Sequence, residues 1–271
     1  MTVTISERSF ETHIEAVLLG ETTPDGALRE PGPTYDLGRL SGRYHRRPHT
    51  DYDRALCLLP NDVHDFIIAT QPQAWERLQQ HHKEDTRALF MTKLSREIDR
   101  HGTLHVLRHG IKERGVKFDL AYYRPGRGRH DALPRLRHAP HIAVVRQLHY
   151  SQQNENSLDL ALFLNGIPLF TAELKNPLNG QPVEHAIRQY RSPARDPREP
   201  LLAYGRCLAH FAVDPELVYV TTRLDGQKTR FLPFNLGRDG GAGNPPAPPT
   251  QNACATDYLW RDVLAPPSVL D

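Results

Sequence analysis

The sequence predicts an α/β fold, a central mixed β-sheet flanked by helices. Two apolar runs, SLDLALFL at 157–164 and IPLFTAELK at 167–175, flank Asn165-Gly166, a strong hairpin signal. Two segments with helical apolar spacing lie in the first hundred residues. A third, Pro182 to Tyr190, follows the strand pair directly and places Val183, Ala186, Ile187 and Tyr190 on one face.

The elements follow in order. Ser6 to Leu19 reads as an amphipathic helix with Phe10, Ile14, Val17 and Leu18 on one side and Gly20 at its C′ position. Residues 20–53 are rich in Pro and Gly and read as a long loop. A short apolar run, CLLP, then leads into DVHDFIIA. Pro72 opens a helix, AWERLQQ. A longer one runs from about Glu84 to Arg100, with Phe90, Leu94 and Ile98 spaced by four and Gly102 as its stop. LHVLRH (104–109), KFDLAYY (117–123) and IAVVRQLHY (142–150) read as strands. LVYVTT (217–222) and TRFLPF (229–234) read as two more around the DGQK turn. Past Phe234 the composition changes. Residues 1–235 read as one domain and 236–271 as a Gly/Pro linker, GRDGGAGNPPAPPT, leading into a short apolar segment, YLWRDVL. So little after a linker suggests a piece of something longer.

Composition excludes several classes. The 271 residues are 38% hydrophobic and 24% charged, too regularly patterned for a wholly disordered chain. No apolar stretch approaches the roughly 18 residues of a membrane span. Met1 to Leu19 mixes Glu, Arg and His with apolar residues and is no signal peptide. The net charge of +2 says little about partners. Cys57, Cys207 and Cys254 are far apart and form no CxxC pair, so buried thiols in a reducing cytoplasm are expected. Among the fifteen histidines, pairs such as His105 and His109 lack the HExxH context of a zinc site.

The chemistry concentrates in the hairpin. Glu173 and Lys175 are two apart on one strand, so both leave the same face. Asp159 interrupts the other apolar strand. Two carboxylates from adjacent strands supply the oxygen ligands a Mg²⁺ ion prefers. A neighbouring lysine can position water and offset charge on a phosphoryl oxygen. The alternative is a solvated strand face. Against it, charges within apolar strands are costly unless paired or metal-bound. A two-residue Asn165-Gly166 turn would pair Leu164 with Ile167 and leave Asp159 and Glu173 on opposite faces. A loop centred on Gly166 would pair Leu164 with Pro168 and Asp159 with Glu173. The expectation is therefore a G1-bulge-like loop with Gly166 left-handed and Pro168 at the strand start.

The run SLDLALFLNGIPLFTAELKNPLNGQPVEHAIRQYR resembles the nuclease region of the type I restriction enzyme R subunit, a PD-(D/E)xK nuclease that precedes helicase-like motor domains. The family pattern is an Asp strand, NGxPL, ELKNP and a helix carrying AxxQ. Here these fall on Asp159, Asn165 to Leu169, Glu173 to Pro177, and Ala186 to Gln189. GTLHVLRHGIK, RQLHYS, RCLAHFAVDPELVYVTTRL and TRFLPFN also look like family segments, so the resemblance extends over nearly the whole chain. It implies a restriction-endonuclease-like fold and Mg²⁺-dependent hydrolysis of double-stranded DNA. Asp159 and Glu173 would hold the metal, with the Leu174 carbonyl as a further candidate ligand, and Lys175 would orient the attacking water. Gln189 would approach the site or the DNA backbone, or be a solvated helix residue. Some relatives continue as QxxxY, but residue 193 is Pro here, with Tyr190 nearby. Related nucleases often add an acid from the first helix; Glu11 and Glu15 are placed for this, or form a solvated face.

Arg124, Arg127, Arg129, Arg135 and Arg137 share one loop with Asp131 as the single acid, suiting either non-specific phosphate contacts or a solvated loop. No GxxxxGK[ST] occurs, so ATP use would belong to motor domains absent from this sequence. The resemblance implies that methyltransferase and specificity subunits complete the complex and that cleavage follows translocation. The other reading is a DNA-holding and assembly module whose nuclease is weak or silent in isolation.

Overall fold

A computed structural model describes residues 7–21, 44–81, 85–122, 141–176, 180–247 and 253–270. Its centre is a seven-stranded mixed sheet in the order β1-β4-β5-β6-β7-β8-β9. The strands are β1 (His45–Arg46), β4 (Ile142–His149), β5 (Ser157–Leu164), β6 (Ile167–Leu174), β7 (Ala209–Val213), β8 (Val218–Thr221) and β9 (Leu232–Pro233). β5 runs antiparallel to both β4 and β6, whereas β1 is parallel to β4 and β7 is parallel to β6, the last two being joined through helix α6 (Val183–Arg191). The expected mixed α/β architecture is present.

The sheet buries both faces. One packs Val144, Leu160, Leu162, Leu164, Ile167, Leu174 and Phe211 against α1 (Glu7–Leu18), α2 (Pro60–Thr70), α3 (Pro72–His81), α4 (Thr86–His101) and α5 (Thr103–His109). The other buries Val145, Leu158, Ala161 and Phe163 with Tyr190 of α6 and with Leu201 and Leu202. The large core does not end at residue 235. Cys254, Leu259, Trp260 and Leu264 belong to it, and a π-helical turn, Leu259–Val263, lies against α1.

Most expected helices are found close to their predicted bounds, and Gly20 ends α1 with a positive φ. LHVLRH requires correction, because it forms helix α5. Gly102, at φ 84°, ends α4 and allows a second helix to restart; Thr103, Val106 and Leu107 are buried while Leu104 is exposed, a helical and not an alternating pattern. KFDLAYY contributes only the end of a small hairpin, β2 (Ile111–Glu113) with β3 (Val116–Phe118). That hairpin and strand β7 had not been anticipated.

The turn between β5 and β6 is also a correction. Leu164 pairs with Ile167, and Asn165 (φ 49°) and Gly166 (φ 79°) are both left-handed, as in a type I′ two-residue turn. The extra residue lies within the strand. Phe163 pairs with Pro168 but Leu162 with Phe170, so Leu169 is a bulge. Beyond it the register is Leu160 with Ala172, and Asp159, next along β5, bonds the Leu174 N–H and lies near Glu173. The predicted convergence is thus reached by a bulge three residues past the turn.

The turn is held tightly. The Asn165 amide group accepts from the His141 N–H and donates to the Leu120 carbonyl, and the Gly166 carbonyl accepts from the Leu59 N–H. A Cβ on Gly166 would lie 2.5 Å from the Leu59 carbonyl oxygen and 2.6 Å from Val63 Cγ2. Gly166→Ala should therefore destabilise the fold by about 2–4 kcal/mol, from left-handed strain plus overpacking. Gly115→Ala, at φ 83° with nothing within 4 Å of the added carbon, should lose only about 1–2 kcal/mol. Urea denaturation of the two variants checks the difference.

Candidate active site

The bulge sets the chemistry of one face. Leu160, Leu162 and Leu164 of β5, with Ile167 and Leu169 of β6, face the large core, and after the bulge Ala172 and Leu174 do so too. Thr171 and Glu173 are thereby turned to the opposite face, where Tyr190 and Arg195 meet them, and the Asp159 carboxylate lies close enough to Glu173 to repel its charge.

Asp159 is nearly buried and firmly oriented. Its Oδ2 accepts from the Leu174 backbone N–H at 2.8 Å and lies 3.9 Å from Lys175 Nζ, and its Oδ1 accepts from Gln147 Nε2 at 3.2 Å. Glu173 is fully buried. Its Oε1 is held by Arg195 through Nε at 2.7 Å and Nη2 at 2.6 Å, while Oε2 has no hydrogen-bond partner among the described residues. Burial first, and then the neighbouring Asp159, push the Glu173 carboxyl well above the usual carboxylate range; Arg195 and Lys175 oppose them. Lys175 donates its backbone N–H to Val213 of β7, which fixes the strand end. The structure thus brings Asp159, Glu173 and Lys175 together. At Leu174 it is the amide that is seen engaged with the site.

Helix α1 closes the cleft from the other side. Glu11 and Glu15 are both buried, so the solvated-face reading is overturned. Arg146 of β4 bonds Glu11 Oε2 at 2.7 Å and Glu15 Oε2 at 3.1 Å, and Arg46 bonds Glu15 Oε1 at 2.8 Å. Gln147 links the two groups of acids, since its Nε2 also donates to Glu11 Oε1 at 3.1 Å. Gln147 has φ 47° inside a strand, a conformation uncommon for a non-glycine residue. That twist lets neighbouring Arg146 and Gln147 both reach α1, where a regular strand would send them to opposite faces. Glu11, Glu15, Arg46, Arg47, Arg146, Gln147 and Asp159 line one cleft of about 1150 Å³.

Gln189 is half-buried, and its backbone carbonyl accepts from the Ser192 N–H and hydroxyl. Tyr190 is buried and hydrogen-bonds Thr171 Oγ1, which also meets His210 Nδ1 at 2.7 Å. Asp214, just past β7, caps α6 by accepting from the Val183 N–H. The five loop arginines, Arg124, Arg127, Arg129, Arg135 and Arg137, lie outside the described residues.

Sequence reasoning missed Arg195, Gln147 and Arg146. Arg195 sits six residues past Gln189 in a Pro-rich stretch with no periodicity to mark it. Arg146 and Gln147 did carry a signal, two adjacent polar residues breaking an otherwise apolar strand.

Comparison with known families falls on this same region. Residues 134–229 match the family described as the type I restriction enzyme R protein N terminus. The R-protein match covers β4 through β8, including Asp159, Glu173, Lys175, Gln189 and Arg195, and leaves α1 outside it. No curated protein and no solved structure matches the chain. Among the described residues, no helix is long and apolar enough to cross a membrane.

Two outcomes test this geometry. Arg195→Met should cost about 3–5 kcal/mol, because Glu173 must then either hold a buried charge without its cation or take up a proton. The double variant with Glu173→Gln should recover part of that loss, as a double-mutant cycle of denaturation free energies would read. Burial lowers the His210 imidazole from its ordinary 6.5 to about 4. The unfolded chain therefore takes up a proton that the folded one refuses. The stability from a neutral His210 is complete above pH 6.5 and is lost as pH falls through 6.5 towards 4, roughly 3 kcal/mol in all. His210→Asn should flatten this part of the stability–pH curve.

Proposed function

We propose that this chain is the DNA-cleaving domain of a type I restriction enzyme R subunit, hydrolysing phosphodiester bonds with Mg²⁺. The observation that carries the reading is the convergence of Asp159 and Glu173 beside Lys175, with one Glu173 oxygen buried and unpartnered. An orphaned carboxylate oxygen of that kind is costly unless something meets it, and a hard divalent cation is the partner that two adjacent carboxylates suit.

Asp159 and Glu173 would hold the ion, and Glu11 is near enough through Gln147 to join them. A bound Mg²⁺ would supply Lewis-acid stabilisation of the phosphoryl oxygens. The chain's own groups do the rest. The Leu174 N–H and the Gln147 amide fix the orientation of Asp159. Arg195 fixes Glu173 and favours its ionised form. The Lys175 ammonium, beside Asp159, is placed to orient water and to offset negative charge as it grows on the phosphate. Arg46 and Arg47 line the cleft where a DNA backbone would enter. In the complete subunit this activity would be coupled to ATP-driven motor domains, in a complex that also holds methyltransferase subunits and a specificity subunit that reads the DNA sequence.

One observation favours a second reading, in which the domain is silent on its own. Arg195 occupies Glu173, and Arg146 occupies both first-helix acids, so internal cations already answer much of the negative charge.

Plasmid cleavage in Mg²⁺ by the chain, beside Lys175→Ala and Asp159→Asn, separates these readings. The nuclease reading expects metal-dependent nicking that falls at least about a hundredfold in either variant. Cleavage unchanged in both variants would overturn the site assignment. Mg²⁺ binding without cleavage, lost in Asp159→Asn, would favour the silent module.

A further inference from the structure

A second cluster of ligand-type side chains lies on the other side of α1. His13 of the helix meets Cys254 and Asp257 of the C-terminal segment, and one ligand atom from each lies within 4.8 Å of the others. His13 and Cys254 are buried and Asp257 is at the edge of burial. His13 Nε2 and Asp257 Oδ1 are 2.9 Å apart, across 244 residues of sequence. Among the described residues this is the one group of three or more His, Cys, Asp or Glu side chains with such spacing.

We propose that His13, Cys254 and Asp257 form a binding site for a zinc-class divalent ion that pins the C-terminal segment to α1. Imidazole, thiolate and a single carboxylate oxygen are a borderline-soft set that suits Zn²⁺ or Co²⁺ and disfavours Mg²⁺. Water would complete a tetrahedral shell. The metal–sulfur bond forms as the Cys254 S–H proton leaves for solvent, so binding releases a proton. Cys254 is buried beside Asp257, so a bound cation is what would stabilise its thiolate there. Arg261 Nε lies 3.5 Å from Asp257 Oδ2, the oxygen not bonded to His13. Oδ1 is therefore the ligand atom and Arg261 orients the carboxylate from behind, as outer partners of metal ligands commonly do. The His13–Asp257 hydrogen bond is the metal-free state of the site, and the ion inserts between the two. None of this depends on the nuclease reading, because the carboxylate cleft contains no thiol.

Cobalt spectroscopy tests the site directly. The full chain, stripped with chelator, is titrated with Co²⁺ in excess Mg²⁺. The expected result is one equivalent of near-ultraviolet thiolate-to-cobalt absorption, displaced by Zn²⁺. Cys254→Ser should abolish that band, while Cys57→Ser and Cys207→Ser keep it. Asp257→Asn preserves a hydrogen bond to His13 and should weaken Co²⁺ binding at least about tenfold. Zn²⁺ should also raise the thermal midpoint of the native chain by more than that of the Asp257→Asn variant. No thiolate band, a band that survives Cys254→Ser, or an equal Zn²⁺ shift in Asp257→Asn would reduce the cluster to a His–Asp hydrogen bond beside a thiol.

Discussion

The single residue by which β6 outruns β5, Leu169, decides what this sheet can do. A type I′ turn at Asn165-Gly166 fixes Leu164 opposite Ile167, and a regular ladder from there would send Glu173 into the large aliphatic core. The bulge reverses the alternation once. Apolar side chains on both sides of it still reach the same core, while Glu173 turns to the opposite face, near Asp159. The turn must be rigid for this to hold, because a slip of one residue would undo it. Asn165 is bonded to two neighbouring segments, and Gly166 fits against Leu59 and Val63 with no room for a side chain. The geometry of the site is thus set by packing several residues away from it.

Concentrating acids at one end of a sheet creates an electrostatic problem that the fold answers with arginines. Glu173 has no solvent, and Asp159 beside it adds repulsion. Arg195 meets it with two nitrogens and also bonds the Ser157 carbonyl, so the guanidinium is itself satisfied at depth. Arg146 does the same for Glu11 and Glu15. These pairs contribute position more than net stability, since desolvating both partners offsets most of their attraction. Each leaves a carboxylate with a fixed direction. For Glu173 one oxygen is committed and the other free, which is what a ligand oxygen needs.

The sheet, the flanking helices and the nearness of Asp159 to Glu173 were legible because periodicity and charge within apolar strands report burial directly. The route to that nearness was not. Asn-Gly predicts the turn type well, but a bulge inside a strand leaves no compositional mark when the extra residue is another leucine. LHVLRH misled because six residues with two adjacent buried apolar positions suit a short helix as well as a strand. Whether the acids of α1 face the site or solvent stayed open in the sequence because their partners, Arg46 and Arg146, are distant in it. Arg195 was silent for the same reason. Long-range ion pairs are settled by topology, which local pattern does not carry.

Helix α1 links the cleft to the C-terminal segment. Glu11 and Glu15, four apart, face the cleft through Arg146 and Gln147, and His13, on the opposite side of the same turn, meets Asp257. Phe10, Ile14 and Leu18 lie in the large core, as do Cys254, Leu259 and Trp260 of the C-terminal segment. The segment that composition marks as lying beyond a linker therefore packs where it can fix the register of α1. Gln147 holds a strained backbone so that one amide spans Glu11 and Asp159, a strain that only a well-packed frame can maintain. Loosening the C-terminal contacts frees α1 to shift, and a shift of α1 moves Glu11 relative to Asp159. The precision of the cleft thus rests on packing that comes from the two ends of the described chain.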